Sequence, residues 1–289
     1  MCLIVFSVNQ HPQFPLLIAA NRDEFFRRPT DAMDWWQSDL AGDRVLAGRD
    51  LMSGGTWLAV SENGTVSAVT NVRESGHQTA VKSRGLLPLL AQRHNSVELT
   101  GTLSSAQDQY AGFNLVQVNC RGGWYFSNRD RNRDANPGRS IHRGIFGLSN
   151  HLLQTPWPKL LKLRSEVGDA LRNTPSGHAD QLHESLIRLL QDTTPAPDSE
   201  LPDTGVGIET ERFLSSAFIK GEDYGTRATT IVTISAWPVN YQGDPSVGAG
   251  NDVIRHCSQH IRFVAEGLQA TQRAFQKLCE VLTGLLNPH

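Results

Sequence analysis

The chain has 289 residues, 39% of them hydrophobic and 19% charged, which is an ordinary globular composition. Its 27 Lys and Arg against 29 Asp and Glu give a formal net charge of -2, which excludes a general attraction to nucleic acid or acidic membranes. No apolar run approaches the roughly 20 residues that span a bilayer, and no secretory signal pattern is present. The four scattered cysteines form no CxxC pair, so we expect reduced thiols and a cytoplasmic location.

The first part of the chain reads as short strands. A continuous apolar run predicts a strand at 2–8, and a second run predicts one at 15–20, followed by four polar residues. Runs at 56–60 and 65–70 flank an Asn-Gly turn and predict a hairpin. A helix is expected at 84–94, where leucines recur at helical spacing.

The remaining elements also come in blocks, with strands in hairpins and helices together. We expect strands at 112–119, 123–127, 141–148 and 228–235; helices at 157–172, 179–192, 208–217 and 265–286; and loops at 128–140 and 193–206. Because strands and helices do not alternate as βαβ units, the pattern indicates an α+β fold with antiparallel sheets covered by helices.

Cys2 is the first residue with chemical potential. Removal of Met1 would give this cysteine the free α-amine, which titrates near neutral pH and can accept the thiol proton. Nucleophile and base would then belong to one residue. The alternative interpretation is a small buried residue that opens a strand.

The polar run Asn21-Arg22-Asp23-Glu24 follows the second predicted strand. An arginine at this place would favour the thiolate of Cys2 and lower its pKa. A neighbouring carboxylate would hold the α-amine. The alternative is a charged turn with surface ion pairs that contribute little.

This run and a series of further motifs resemble the NRDE family, also called the transport and Golgi organisation protein 2 family. The further motifs, in order, are Met1-Cys2, Ala47-Gly48-Arg49-Asp50, Gly54-Gly55-Thr56-Trp57-Leu58, Thr70-Asn71-Val72-Arg73, Ser83-Arg84-Gly85, Gly112-Phe113-Asn114-Leu115, Gly147-Leu148-Ser149-Asn150, Pro156-Trp157-Pro158-Lys159, Leu201-Pro202-Asp203-Thr204-Gly205 and Tyr224-Gly225-Thr226-Arg227. They extend to about residue 235. Their number and order carry the resemblance.

The family in turn resembles the cysteine branch of the N-terminal-nucleophile hydrolases. That resemblance implies a four-layer α/β/β/α fold with two stacked, mainly antiparallel sheets in one domain over 1–289. It also implies hydrolysis of a linear non-peptide amide or related acyl compound without a cofactor. After about residue 236 the sequence departs from the family pattern, so 240–289 is an atypical segment whose strands are left open.

The resemblance further implies roles for particular residues. The implied catalytic residues are Cys2, Arg22, Asp23, Asn71, Asn150 and Arg227. Arg22 and Asp23 would act after the second strand, with Glu24 as the alternative carboxylate. Asn71 would donate to the oxyanion, Asn150 would orient the α-amine or the oxyanion, and Arg227 would support the nucleophile.

A second function remains open beside hydrolysis. The family is implicated in haem trafficking, so the alternative is a non-catalytic haem- or lipid-binding protein that uses the same cleft. The sequence contains ten histidines but no CxxCH motif and no persuasive metal-ligand spacing, and only His151 lies next to a proposed site residue. The glycines around Arg49 and before Trp57 are interpreted as turns, and Trp57 as a core residue.

Overall fold

A computed structural model describes residues 3–75, 80–130, 138–236 and 257–264. The strands in chain order are β1 (Leu3–Val8), β2 (Leu16–Phe25), β3 (Thr30–Ser38), β4 (Asp43–Asp50), β5 (Leu58–Ser61), β6 (Val66–Asn71), β7 (Phe113–Asn119), β8 (Gly122–Ser127), β9 (Gly138–Ile141), β10 (Gly144–Leu148), β11 (Tyr224–Ala236) and β12 (Cys257–Val264). The α-helices are α1 (Leu87–Arg93), α2 (Ser96–Ala106), α3 (Pro158–Asn173), α4 (Ala179–Leu190) and α5 (Ile208–Phe213).

The strands form two antiparallel sheets. One has five strands in the order β10-β1-β2-β11-β12, and the other has seven in the order β3-β4-β5-β6-β7-β8-β9. In the seven-stranded sheet, spatial neighbours are also neighbours in the chain. In the five-stranded sheet, β1 and β2 lie between strands that come much later.

Alternate residues of β1 show how the layers stack. Ile4 and Phe6 are fully buried between the two sheets, where they pack with residues such as Leu58 of β5. Leu3 and Val5 point to the opposite face and pack against α3 and α4. The outer face of the seven-stranded sheet is covered by α1 and α2. These contacts define four layers, so the expected α/β/β/α arrangement is confirmed.

Several element boundaries differ from the sequence prediction. The polar run from Asn21 lies inside β2 and does not follow it, because its side chains find buried partners on other elements. The predicted strand at 141–148 is two strands in different sheets, because β9 ends at Ile141 and β10 begins at Gly144, whose φ of 149° only a glycine adopts readily. The strands β3 and β4 and the helix α2 were not predicted.

The last part of the chain is described only in one segment. β12 pairs with β11 and extends the five-stranded sheet, within the stretch whose strands were left open. The predicted helix at 265–286 lies outside the described residues. Among the helices that the structure describes, none is long and apolar enough to cross a membrane.

Candidate active site

The first residue of β1 lies between the polar ends of two motifs. Leu3 pairs with Asn21 of β2, and Ile4 pairs with Leu148 of β10. Asn21-Arg22 and Ser149-Asn150 therefore lie at the same end of β1, on its two sides. Met1 and Cys2 are outside the described residues.

Arg22 is a buried cation at this end of β2. Its side chain is 4% exposed, and its guanidinium carbon lies 4.4 Å from the centre of the Trp57 ring. Its Nη2 lies 3.6 Å from a Glu24 carboxylate oxygen and 3.7 Å from one of Asp50. Its buried Nη1 has no hydrogen-bond partner among the described residues. The geometry therefore leaves the N–H donors of Nη1 for a further group.

Burial lowers the pKa of Arg22, and the nearby cations Arg227 and Arg28 act in the same direction. The carboxylates Glu24 and Asp50 oppose this effect. Three cations and two carboxylates thus influence one another at this end of β2. An additional anionic group would be favoured there.

Asp50, at the end of β4, connects this cluster to the neighbouring turn. It accepts a hydrogen bond of 2.5 Å from Arg28 Nε and bonds of 3.0 and 3.2 Å from the backbone N–H groups of Met52 and Ser53. Burial raises the pKa of Asp50, but these donors and the Arg28 charge outweigh it, so the pKa is lowered overall. Asp50 is therefore an ionised carboxylate held at the edge of the cluster.

The two candidate carboxylates of β2 lie on opposite faces. Asp23 Oδ1 accepts a 2.6 Å hydrogen bond from Thr226 Oγ1, and Thr226 in turn accepts from the Ile219 backbone. Glu24 lies on the Arg22 side. Successive residues of a strand alternate between faces, so the side chains of Arg22 and Glu24 share one face of β2 and that of Asp23 lies on the other.

Asn71 and Asn150 are brought together although 79 residues separate them. Asn150 is 7% exposed, and its Nδ2 donates 3.2 Å to the backbone oxygen of Asn71. The backbone N–H of Arg73 donates a hydrogen bond of 2.7 Å to the backbone oxygen of Asn150. An amide nitrogen has two hydrogens, so Asn150 keeps one donor beyond this bond.

Arg227 occupies the bulge of β11, where the pairing with β2 shifts register between Thr226 and Ala228. Its guanidinium donates to the backbone oxygens of Phe25 and Arg28. It therefore holds the turn between β2 and β3. Its effect on the pKa of Arg22 shows that its charge also reaches the cluster.

The sequence prediction gave no role to an ion pair next to Asn150. Arg73 binds Glu211 of α5, and the two side chains are 10% and 2% exposed. Glu211 also accepts from the backbone N–H of Thr204 at 3.1 Å, and Arg73 lies 4.9 Å from the Trp157 ring centre. Arg73, Trp157 and Thr204 each belong to one of the family motifs, and this membership was the signal that the sequence offered.

His151 does not contribute a metal site here. Its Nδ1 lies 2.9 Å from Thr155 Oγ1, and its ring lies 6.0 Å from that of Trp157. Within the described ranges, no three His, Cys, Asp or Glu side chains are grouped as metal ligands. A cavity of about 340 Å³ lined by Pro158, Leu161 and Ala217 lies in the helical layer, away from Arg22.

Comparison with known proteins gives the family. The model of the family described as Transport and Golgi organisation 2 matches residues 1–237. The human Transport and Golgi organization protein 2 homolog is 31% identical over 254 residues, and the Bos taurus homolog 29% over 257; each alignment covers 82% of this chain and 89% of the relative. The Drosophila melanogaster Transport and Golgi organization protein 2 is 24% identical and covers 82% of this chain and 88% of its own length.

Among solved structures, the chain is similar to a Caenorhabditis elegans N-acylethanolamine-hydrolyzing acid amidase ortholog, at 12% identity and a TM-score of 0.35, over 80% of this chain and 92% of that one. The family predicted from the motifs is confirmed by the match over residues 1–237. The chain belongs to the Transport and Golgi organisation 2 family.

Proposed function

We propose that the protein is a cysteine amidohydrolase in which Cys2, after removal of Met1, attacks a linear non-peptide amide or related acyl compound. The observation that carries this proposal is the free, buried Nη1 of Arg22 beside the start of β1. A buried cation with an unused donor favours a thiolate as its partner.

The strand registers support the position of the nucleophile. The β1–β2 register ends at Leu3 opposite Asn21, so Arg22 follows directly at the end of β1 where the described residues begin. The β1–β10 register opposes Ile4 to Leu148, so Asn150 lies two residues beyond that pair, at the same end. Even-numbered residues of β1 face the space between the sheets, as Arg22 does.

The proposed reaction uses these groups in distinct roles. The Cys2 α-amine takes the thiol proton, and the sulfur attacks the acyl carbon to form a tetrahedral intermediate. The remaining N–H of Asn150 is aimed at the developing oxyanion, together with the Asn71 amide. The protonated amine then protonates the leaving nitrogen, the C–N bond breaks, and water hydrolyses the thioester.

The carboxylate role in this proposal falls to Glu24 and Asp50, because both lie within 4 Å of the Arg22 guanidinium. Asp23 supports the strand pairing through Thr226 instead. Arg227 contributes charge to the cluster and holds the adjacent turn. No metal or organic cofactor takes part in these steps.

The test begins with the N-terminal residue of the purified protein, read by intact mass. We expect Met1 to be absent and Cys2 to be labelled by a thiol-directed electrophile. Turnover of N-acyl-p-nitroanilides of different chain length should be lost in Cys2→Ala and retained in Cys120→Ser, which removes a half-buried thiol of the β7–β8 turn.

The oxyanion role has its own variant. Asn150→Ala should lower kcat by about 10²–10³, the usual loss for one oxyanion donor. Retention of Met1, or turnover by Cys2→Ala at the wild-type rate, would contradict the proposal.

A further inference from the structure

The indole of Trp57 contacts Arg22 in a way that its interpretation as a core residue does not explain. Its ring is 7% exposed and packs between the sheets, with the Arg22 guanidinium carbon 4.4 Å from the ring centre. Its Nε1 is buried and has no hydrogen-bond partner in the described part of the chain. Buried tryptophans usually find an acceptor, so the contact of its ring face with Arg22 is the polar interaction of this indole among the described residues.

Gly48 of β4 makes room for this ring. A Cβ on Gly48 would lie 2.2 Å from Trp57 Cη2 and 2.4 Å from Cζ2. Any other residue at this position would displace the indole, because both distances are far below van der Waals contact. Gly48, which the sequence indicated as a turn residue, therefore lies within a strand, where the absence of a side chain leaves the space that the Trp57 ring fills.

The loop between Gly48 and Trp57 closes tightly on Asp50. The backbone N–H of Asp50 donates a hydrogen bond of 2.8 Å to the backbone oxygen of Gly55. The backbone N–H of Gly54 donates one of 2.8 Å to the backbone oxygen of Asp50. The ring and the Asp50 carboxylate, at the two ends of this loop, both lie next to the Arg22 guanidinium. The motifs around Gly48–Asp50 and Gly54–Trp57, to which the sequence assigned no chemical role, thus both contact Arg22.

The charged groups facing Arg22 do not fix its orientation alone. Glu24 on β2 and Asp50 on β4 attract it at 3.6 and 3.7 Å, whereas Arg28 and Arg227 repel it. Neither carboxylate makes a hydrogen bond of ordinary length to it. A flat ring under the planar guanidinium restricts the cation to one plane.

We propose that Trp57 is a positioning residue, seated by Gly48, that fixes the orientation of the Arg22 guanidinium on which the reactivity of Cys2 depends. This inference rests on the proposed function. It assigns the Gly48–Asp50 and Gly54–Trp57 motifs to the reactivity of the nucleophile.

The readout is the rate of Cys2 alkylation by iodoacetamide as a function of pH, followed on the N-terminal peptide by mass spectrometry. Trp57→Leu removes the ring face without changing any charge. We expect the pH midpoint of the alkylation rate to rise by about one unit, which is the lower end of the pKa change that a neighbouring arginine causes in an acidic group. Trp57→Phe keeps a ring face and should stay close to the wild type. Trp36→Leu is the control, because Trp36 carries Arg49 in a similar stack at 5.0 Å on the outer face of the same sheet.

Gly48→Ala displaces the Trp57 ring through the added methyl group. It should raise the pH midpoint of alkylation when it is the only substitution. Combined with Trp57→Phe it should have a smaller effect, because the shorter ring leaves space for the methyl group. This pair keeps the inference testable if Trp57→Leu does not fold, as judged by circular dichroism.

Arg22→Met separates the two proposals. If it leaves the wild-type midpoint unchanged, Arg22 does not act on Cys2 and the proposed function loses its carrying observation. If Arg22→Met raises the midpoint while Trp57→Leu and Gly48→Ala do not, the positioning role alone is overturned. A rise in all three variants, with Trp36→Leu unchanged, supports both.

Discussion

The ion pair between Arg73 and Glu211 allows a sharp test of what holds the motifs around Asn150 together. Glu211 is 2% exposed and accepts from Arg73 and from both the N–H and the hydroxyl of Thr204, at 3.1 and 2.5 Å for the latter two. Glu211→Leu leaves the Arg73 guanidinium buried without its acid. Breaking a buried pair on one side costs about 3–5 kcal/mol of unfolding free energy.

The double variant Arg73→Met/Glu211→Leu should be more stable than Glu211→Leu alone. When both charges are removed, only the two Thr204 donors are left without an acceptor, which costs about 1–3 kcal/mol of unfolding free energy. We therefore expect the second substitution to restore about 2 kcal/mol. In thermal unfolding this is a recovery of roughly 4–8 °C, at about 2–4 °C per kcal/mol for a chain of this size.

Urea unfolding followed by tryptophan fluorescence measures all four members of the cycle. Asp198→Asn is the control, because Asp198 pairs with Arg212 at 2.6 Å on the surface and its loss should leave the urea midpoint unchanged. A double variant no more stable than Glu211→Leu would refute the reasoning, because the two side chains would then contribute independently.

Three further predictions concern the scaffold. Because the pKa of Asp50 is lowered in the fold, the ionised carboxylate stabilises the folded state fully above the ordinary carboxyl range, and this contribution is lost as pH falls through the folded pKa. Asp50→Asn should therefore weaken the loss of folding stability between about pH 5 and pH 2, measured by urea unfolding at each pH. Leu163→Ala, at 2% exposure, should cost about 2–5 kcal/mol in chemical denaturation, whereas Leu161→Ala, at 42% on the same helix, should stay within about 0.5 kcal/mol. Gly55→Ala should lower the Tm strongly because its Cβ would meet backbone atoms at 2.4 Å, whereas Gly101→Ala, in open space on α2, should raise it slightly.

β1 was predictable because burial on both faces leaves a continuous apolar run in the sequence. The hairpin of β5 and β6 was predictable because an Asn-Gly turn separates its two strands. β3 was missed because most of its residues are at least partly exposed and mix charged and aromatic side chains. α2 was missed although Asn95 and Glu98 form a capping box, a signal that was present in the sequence.

The face on which each polar residue of β2 lies could not be predicted. Asn21 is buried because its Nδ2 donates 2.8 Å to the backbone oxygens of Leu190 and Ala217, 169 and 196 residues away. No local pattern reveals partners at that separation. For the same reason the sequence named Asp23 as the carboxylate, with Glu24 as the alternative, and could not tell that Glu24 shares its side of the strand with Arg22.

The order of strands in the two sheets also has a consequence for synthesis. The seven-stranded sheet joins consecutive segments, so it can form as soon as the ribosome releases them. The hairpin of β1 and β2 emerges first but waits for β10 on one side and β11 on the other. Until then it presents two open apolar edges. The end of β1 that Arg22 and Asn150 flank is therefore completed late, after β10 and β11 have left the ribosome.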